Sequence, residues 1–110
     1  MNKSSPTHFL RKDILDEATR VVLKDRNAQY GDPEDNFATV AEFWTTYLAA
    51  KYKGRVIGTF ALDAIDCAVM MVLLKVSRAA ITPEVRDHWV DMAGYTSCAG
   101  SMALAQPSKE

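Results

Sequence analysis

The chain has 110 residues, about the size of one ordinary domain and too short for two independent cores. It carries 13 Lys and Arg against 14 Asp and Glu, and a net charge of −1 gives no bulk electrostatic case for binding nucleic acid or an anionic membrane. With 48% apolar and 25% charged residues it reads as a folded chain, and two cysteines, Cys67 and Cys98, are too few for a disulfide scaffold or a zinc site of their own. The longest apolar run, residues 67–74, is far short of the roughly 18 residues a bilayer span needs. Residues 1–13, MNKSSPTHFLRKD, contain no apolar stretch of the kind that directs export. The expected setting is a reducing cytoplasm, with neither membrane nor nucleic acid as a partner.

Residues 1–9 are polar and without period, and are expected to form a loose arm. Over residues 9–24, Leu10, Ile14, Leu15, Ala18, Val21 and Val22 recur at helical steps, which predicts an amphipathic first helix. Residues 25–31, DRNAQYG, break that period. Asp32 then offers an N-cap, Pro33 suits the first helical position, and Glu34 and Asp35 bring negative charge to the positive end of the dipole. A second helix is therefore predicted to about residue 50 or 51, with Phe37, Val40, Ala41, Trp44 and Leu48 facing the core. Residues 51–58 form a basic connector that contains Gly54 and ends at Gly58.

Thr59 is placed to cap a third helix reaching about residue 80, with Leu62, Ile65, Val69, Val72, Leu73 and Val76 as its inner stripe. Its other side is apolar as well, through Cys67, Met70, Met71 and Leu74, and a helix apolar all round belongs at a fold's centre or at a subunit contact. Thr82-Pro83-Glu84 repeats the cap, proline and acid pattern and predicts a fourth helix over residues 83–103. Residues 93–101 of that helix are rich in small side chains that admit a close neighbour. Each glycine there costs about 1 kcal/mol in a helix interior, which itself points to tight packing nearby. No run has the period of a strand. The expectation is an all-α, four-helix, bundle-like domain over residues 10–104, acting as a homo-oligomer, with a tail at 105–110.

Three groups of residues could carry chemistry. Asp87 and Asp91 stand four apart, one turn along a common face, where a hard cation such as Mg²⁺ would relieve their repulsion. The plain alternative is a solvated helix face. Lys75 and Arg78 close the third helix, where cations complement the dipole, and could also meet phosphate oxygens. Arg26, Tyr30, Gly31 and Asp32 precede a helix N-terminus, a natural anion site, although Glu34 and Asp35 favour a phosphate bridged by metal. Asn36 could read a base edge or a metal-bound water, and Tyr95 continues the Asp87–Asp91 stripe. The plain reading of this third group is that Asp32 is a cap and Gly31 a turn residue. His8 and His88 have no partner at metal-ligand spacing, and Trp44 and Trp89 fit the core periods of their helices.

Three segments, ILDEATRVVLKDRNAQYGDPEDNFATVAEFW, AVMMVLLKVSR and DHWVDMAGY, together resemble a small domain family of unknown function common in phage and prophage genomes. The likeness covers about residues 13–97 and implies a phage-type protein of the host cytoplasm, without an established activity. More loosely, the chain resembles the all-α nucleotide pyrophosphohydrolases of the MazG and dimeric dUTPase type. That resemblance implies a helical oligomer that binds Mg²⁺ through ExxE and ExxD pairs and cleaves a nucleoside triphosphate to monophosphate and pyrophosphate. Here Asp91 matches the final aspartate, Asp87 lies one residue out of register, and Phe37 stands where the second acid of ExxE would follow Glu34.

The leading expectation is Mg²⁺-dependent hydrolysis of a nucleotide. In it Asp87 and Asp91, with Glu34 or Asn36, hold the metal, Lys75 and Arg78 neutralise the leaving pyrophosphate, and Tyr30 and Tyr95 wall the base. A metal-free nucleotide-binding module would use Arg26, Tyr30, Asn36, Lys75, Arg78 and Tyr95. A helical protein-interaction module would need none of these residues and would use the apolar third helix instead.

Overall fold

The computed structural model describes residues 6–25, 32–55 and 60–106, and every regular element among them is helical. Four α-helices run in chain order: α1 (Pro6–Arg20), α2 (Pro33–Lys51), α3 (Ala64–Ile81) and α4 (Arg86–Ala105). One π-helical segment, Val21–Asp25, extends α1. The centre of the fold is α3, which packs most extensively on α4 and next on α2, while α1 lies along α4. No helix among the described residues is long and apolar enough to cross a membrane.

Helix α1 begins at Pro6, inside the stretch expected to be an arm, because proline's fixed φ suits a first helical turn. Helix α2 runs as its punctuation predicts. Asp32 is its N-cap, although the Asp32 side chain makes no capping hydrogen bond, and Phe37 and Ala41 are buried. The other three residues of its stripe, Val40, Trp44 and Leu48, are half-buried.

The start of α3 differs from expectation. Thr59 lies outside the described residues, and the cap is Asp63, which closes a reciprocal capping box with Asp66. Asp66 N donates to Asp63 Oδ1 at 2.8 Å, and Asp63 N donates to Asp66 Oδ2 at 3.0 Å. Just upstream, Leu62 N donates to Thr45 Oγ1 at 2.8 Å and ties the incoming chain to α2. Asp63→Ala is expected to lower stability by about 1 kcal/mol, measured as a fall in the urea midpoint at unchanged slope.

Helix α4 starts three residues later than Thr82-Pro83-Glu84 suggests. Thr82 is already the C-cap of α3, its N–H donating to Arg78 O at 3.0 Å, so it cannot also open the next helix. A turn closed by Val85 N on Thr82 O follows, and Val85 caps α4. Trp89, expected in the core, is 42% exposed and clamps that turn, its indole N–H donating to Pro83 O at 2.8 Å.

The largest correction concerns which side of α3 faces in. Its buried residues are Cys67, Ala68, Lys75 and Ala79, whereas Val69, Leu73 and Val76 of the expected inner stripe are 46%, 61% and 48% exposed. Small side chains let α3 approach its neighbours closely; Leu62, Ile65 and Val72 of the expected stripe are half-buried, with Leu62 packed against the core, and the other aliphatics of the stripe are turned outward. Around Cys67 and Ala68 the core gathers Phe37 and Ala41 from α2 and Cys98 from α4, with Tyr95, Trp44 and Met102 packed against them. Gly94 is also buried, and a Cβ there would lie 3.2 Å from Val22 Cγ2, so this glycine allows the α1 extension to close on α4. Gly100 has open space around its Cα and plays no such part.

Candidate functional site

Helices α3 and α4 are antiparallel across a short connector, so residues sixteen apart in sequence can meet. Lys75 and Asp91 do so. The Lys75 Nζ to Asp91 Oδ2 distance is 2.8 Å, and each residue is only 8% exposed. A charge-assisted contact of this length is among the stronger hydrogen bonds a protein makes.

The other predicted residues of these helices flank the pair. Arg78 and Asp87 sit one turn nearer the connector, and both are exposed. Tyr95 sits one turn the other way, half-buried, its ring 5.9 Å from that of Phe37 in a tilted contact. Through Phe37 the first turns of α2 are brought against the middle of α4, with Asp32 and Asn36 exposed beside it. The expected i, i+4 relation of Asp87 and Asp91 therefore exists along the helix, but their surroundings differ. Asp91 is buried against an ammonium group, and Asp87 faces solvent.

Glu34 is not part of that group. It lines an open cavity of about 660 Å³ with Asp63, Ala64, Ile65, Ser101 and Met102. From Asp91 to Ser101 is about 15 Å along a helix that rises 1.5 Å per residue. Glu34, Asp87 and Asp91 thus do not converge, and among the described residues no three His, Cys, Asp or Glu side chains form a group that could hold a metal ion. Arg26, Tyr30 and Gly31 lie outside the described residues.

Two features escaped sequence reasoning. His88, read as an ordinary polar residue, shares a 2.9 Å hydrogen bond between its Nε2 and Thr82 Oγ1 and has a buried Nδ1 with no hydrogen-bond partner. Its only sequence signal was its position next to Asp87. Arg86 Nε donates to Glu17 Oε2 at 2.7 Å and fastens the start of α4 to α1, a contact 69 residues apart that no local pattern reveals. That hydrogen bond holds the Arg86 guanidinium above its ordinary pKa. Burial pushes the Cys67 and Cys98 thiols up; for Cys98 a hydrogen bond from Ser97 opposes the rise and the Glu34 carboxylate adds to it. Raised thiols favour the neutral form, so neither cysteine is primed as a nucleophile.

The model of a domain of unknown function, DUF6378, matches residues 13–103. The chain belongs to this family. The DUF6378 chain is also similar to the Gene 55 protein of Mycobacterium phage D29, with 35% identity over 89 residues, covering 81% of this chain and 52% of that protein. The Gene 55 protein of Mycobacterium phage L5 is 32% identical over 96 residues, covering 87% of this chain and 56% of that protein. The chain thus spans about half the length of these curated relatives, which are phage proteins. No solved structure matches the DUF6378 chain.

Proposed function

We propose that this domain binds a nucleotide by its phosphates at the α3–α4 junction, with Mg²⁺-dependent hydrolysis of a nucleoside triphosphate as the activity to test there. The supporting observation is the buried Lys75–Asp91 pair. Removing two charges from water costs several kcal/mol per ion, and apolar side chains of similar size would hold two helices together at least as well. Buried, paired ionisable groups are enriched at functional sites. Arg78 at the rim would grip a phosphate with its planar fork, and Lys75 within would meet it as a point charge released from Asp91. The residues described do not form a metal centre by themselves. A Mg²⁺ ion arriving on the triphosphate would draw most of its shell from phosphate oxygens and water, and exposed Asp87 is the carboxylate at hand. The looser likeness to the all-α pyrophosphohydrolases points the same way.

A second reading, a helical interaction module, is favoured by the exposure of Phe43 (71%), Tyr47 (62%) and Leu73 (61%). A nucleotide panel with Mg²⁺ and with EDTA separates the two, read by thermal shift and pyrophosphate release. The expected result is a rise in Tm with at least one nucleoside triphosphate, and Arg78→Ala weakening that binding about tenfold or more, as loss of a charged hydrogen bond implies. Pyrophosphate release only with Mg²⁺ would make the domain a hydrolase. A Tm rise without turnover, unchanged by EDTA, would make it a binding or sequestering module. No response to any nucleotide would overturn the proposal in favour of the interaction module.

A further inference from the structure

The outer face of α2 carries Phe43, Tyr47 and Lys51 at four-residue steps, so the three share one side of the helix, each about 6 Å further along it. Phe43 and Tyr47 are the two most exposed aromatic rings among the described residues. Single exposed apolar side chains are ordinary, but two rings on adjacent turns that run into a group of cations are not. We infer that this face binds single-stranded nucleic acid, its rings stacking on unpaired bases and the cations at its C-terminal end meeting phosphates. Two observations favour that partner.

The first is charge. Lys51, Lys53 and Arg55 are exposed at the end of α2, and no Asp or Glu occurs from residue 43 to residue 62. Lys51 lies in the last turn and complements the helix dipole, but Lys53 and Arg55 lie beyond it. None of the three is paired with a carboxylate among the described residues. A tight turn keeps them together: Arg55 N donates to Tyr52 O at 2.9 Å, and Gly54 takes the positive φ of 78° within it. The whole-chain charge of −1, which argues against nucleic acid, averages over this patch and hides it. Glu42, about 100° round the helix from Phe43, is the nearest acid in sequence.

The second is the joining of rings to those cations. Proteins that grip a single strand combine a cationic track for the backbone with aromatic platforms for the bases. Lys51 Nζ lies 5.5 Å from the centroid of the Tyr52 ring, a cation–π contact that holds an ammonium group beside a third exposed aromatic. A duplex offers these rings no free base without unstacking its own. An anionic bilayer is met by a broad apolar face rich in Leu, Phe and Trp, whereas Thr46 and Ala50 fill the positions between these rings and Lys51. This inference is independent of the nucleotide reading, because none of its residues belongs to the α3–α4 junction.

The test is fluorescence anisotropy of the intact chain with a labelled oligothymidylate of about 16 nucleotides, the upper end of what such platforms cover, carrying no terminal phosphate. Binding is expected at low salt, with log K falling against log salt at a slope of about −2, from about 0.7 for each of three phosphate contacts. Lys53→Gln should make that slope shallower by about 0.7. Tyr47→Ala is expected to weaken binding at least about fivefold, whereas Tyr47→Phe keeps the ring and the affinity. Both positions are exposed, so helical circular dichroism should not change. Absence of binding at low salt would overturn the inference. So would equal affinity for a duplex of the same length, or a Tyr47→Ala variant that binds like wild type, since charge alone would then account for the association. Binding to vesicles of anionic lipid but not to the strand would overturn it in favour of a membrane surface.

Discussion

Lys75→Ala is expected to lower the stability of the domain by about 3–5 kcal/mol, since it leaves the Asp91 carboxylate buried without its ammonium partner. Against a total of about 5–15 kcal/mol for an ordinary domain, that is a large share of what holds it folded. The double variant Lys75→Met with Asp91→Leu should recover most of the loss, because two apolar side chains can fill the same space without desolvating charge. Urea unfolding of the three proteins measures both effects. If Lys75→Ala costs less than about 1 kcal/mol, the pair behaves in solution like a solvent-screened surface bridge. The double variant also separates structure from ligand binding. Folded but unresponsive to nucleotide, it would place the phosphate site at this pair; folded and still responsive, it would move the site elsewhere.

Gly94→Leu is expected to detach the N-terminal helix while leaving the rest folded. A Cβ alone would lie 3.2 Å from Val22 Cγ2, so alanine asks Val22 to give a few tenths of an ångström, offset by about 1 kcal/mol of gained helix propensity. Leucine adds a branched group that has to displace the Val22 side chain, and overpacking of this kind costs about 1–3 kcal/mol. Since α1 touches the rest of the described fold through α4, that cost falls on its docking. Hydrogen exchange should show loss of protection over residues 6–25 and little change in α2 and α3. Uniform loss over the whole chain would mean that α1 is integral to the core and not a docked element.

How far the sequence disclosed this structure depends on which signals are local. Helix α2 was legible to its last residue or two because its start and stop are written in neighbouring residues, Asp32-Pro33 at one end and Lys51 at the other. The close approach at Gly94 was legible because glycine in a helix has a cost that needs a reason. The orientation of α3 was not, since a helix apolar on every side has no phase to read. Large aliphatics were expected inside, but apart from Lys75 the positions fully buried against the neighbouring helices hold the small residues Cys67, Ala68 and Ala79, while Ile65 and Val72 are only half-buried. Burial of Lys75 was hidden for a different reason. Lysine is almost never fully buried unless paired, and its partner stands sixteen residues away on another helix. For the site, spacing correctly placed Asp87 and Asp91 one turn apart, yet only tertiary packing could give one of them to solvent and the other to Lys75.

The short link between α3 and α4 has a consequence for how the chain reaches this structure. Its most extensive helix contact joins elements adjacent in sequence, whereas α1 must find α4 across most of the chain. Loop closure over a few residues is fast and cheap in entropy, so the α3–α4 hairpin is the natural nucleus, and α1 docks late. The two variants above should then separate in kinetics as well as in equilibrium. Lys75→Ala would act mainly on the refolding arm of a chevron plot, and Gly94→Leu almost wholly on the unfolding arm.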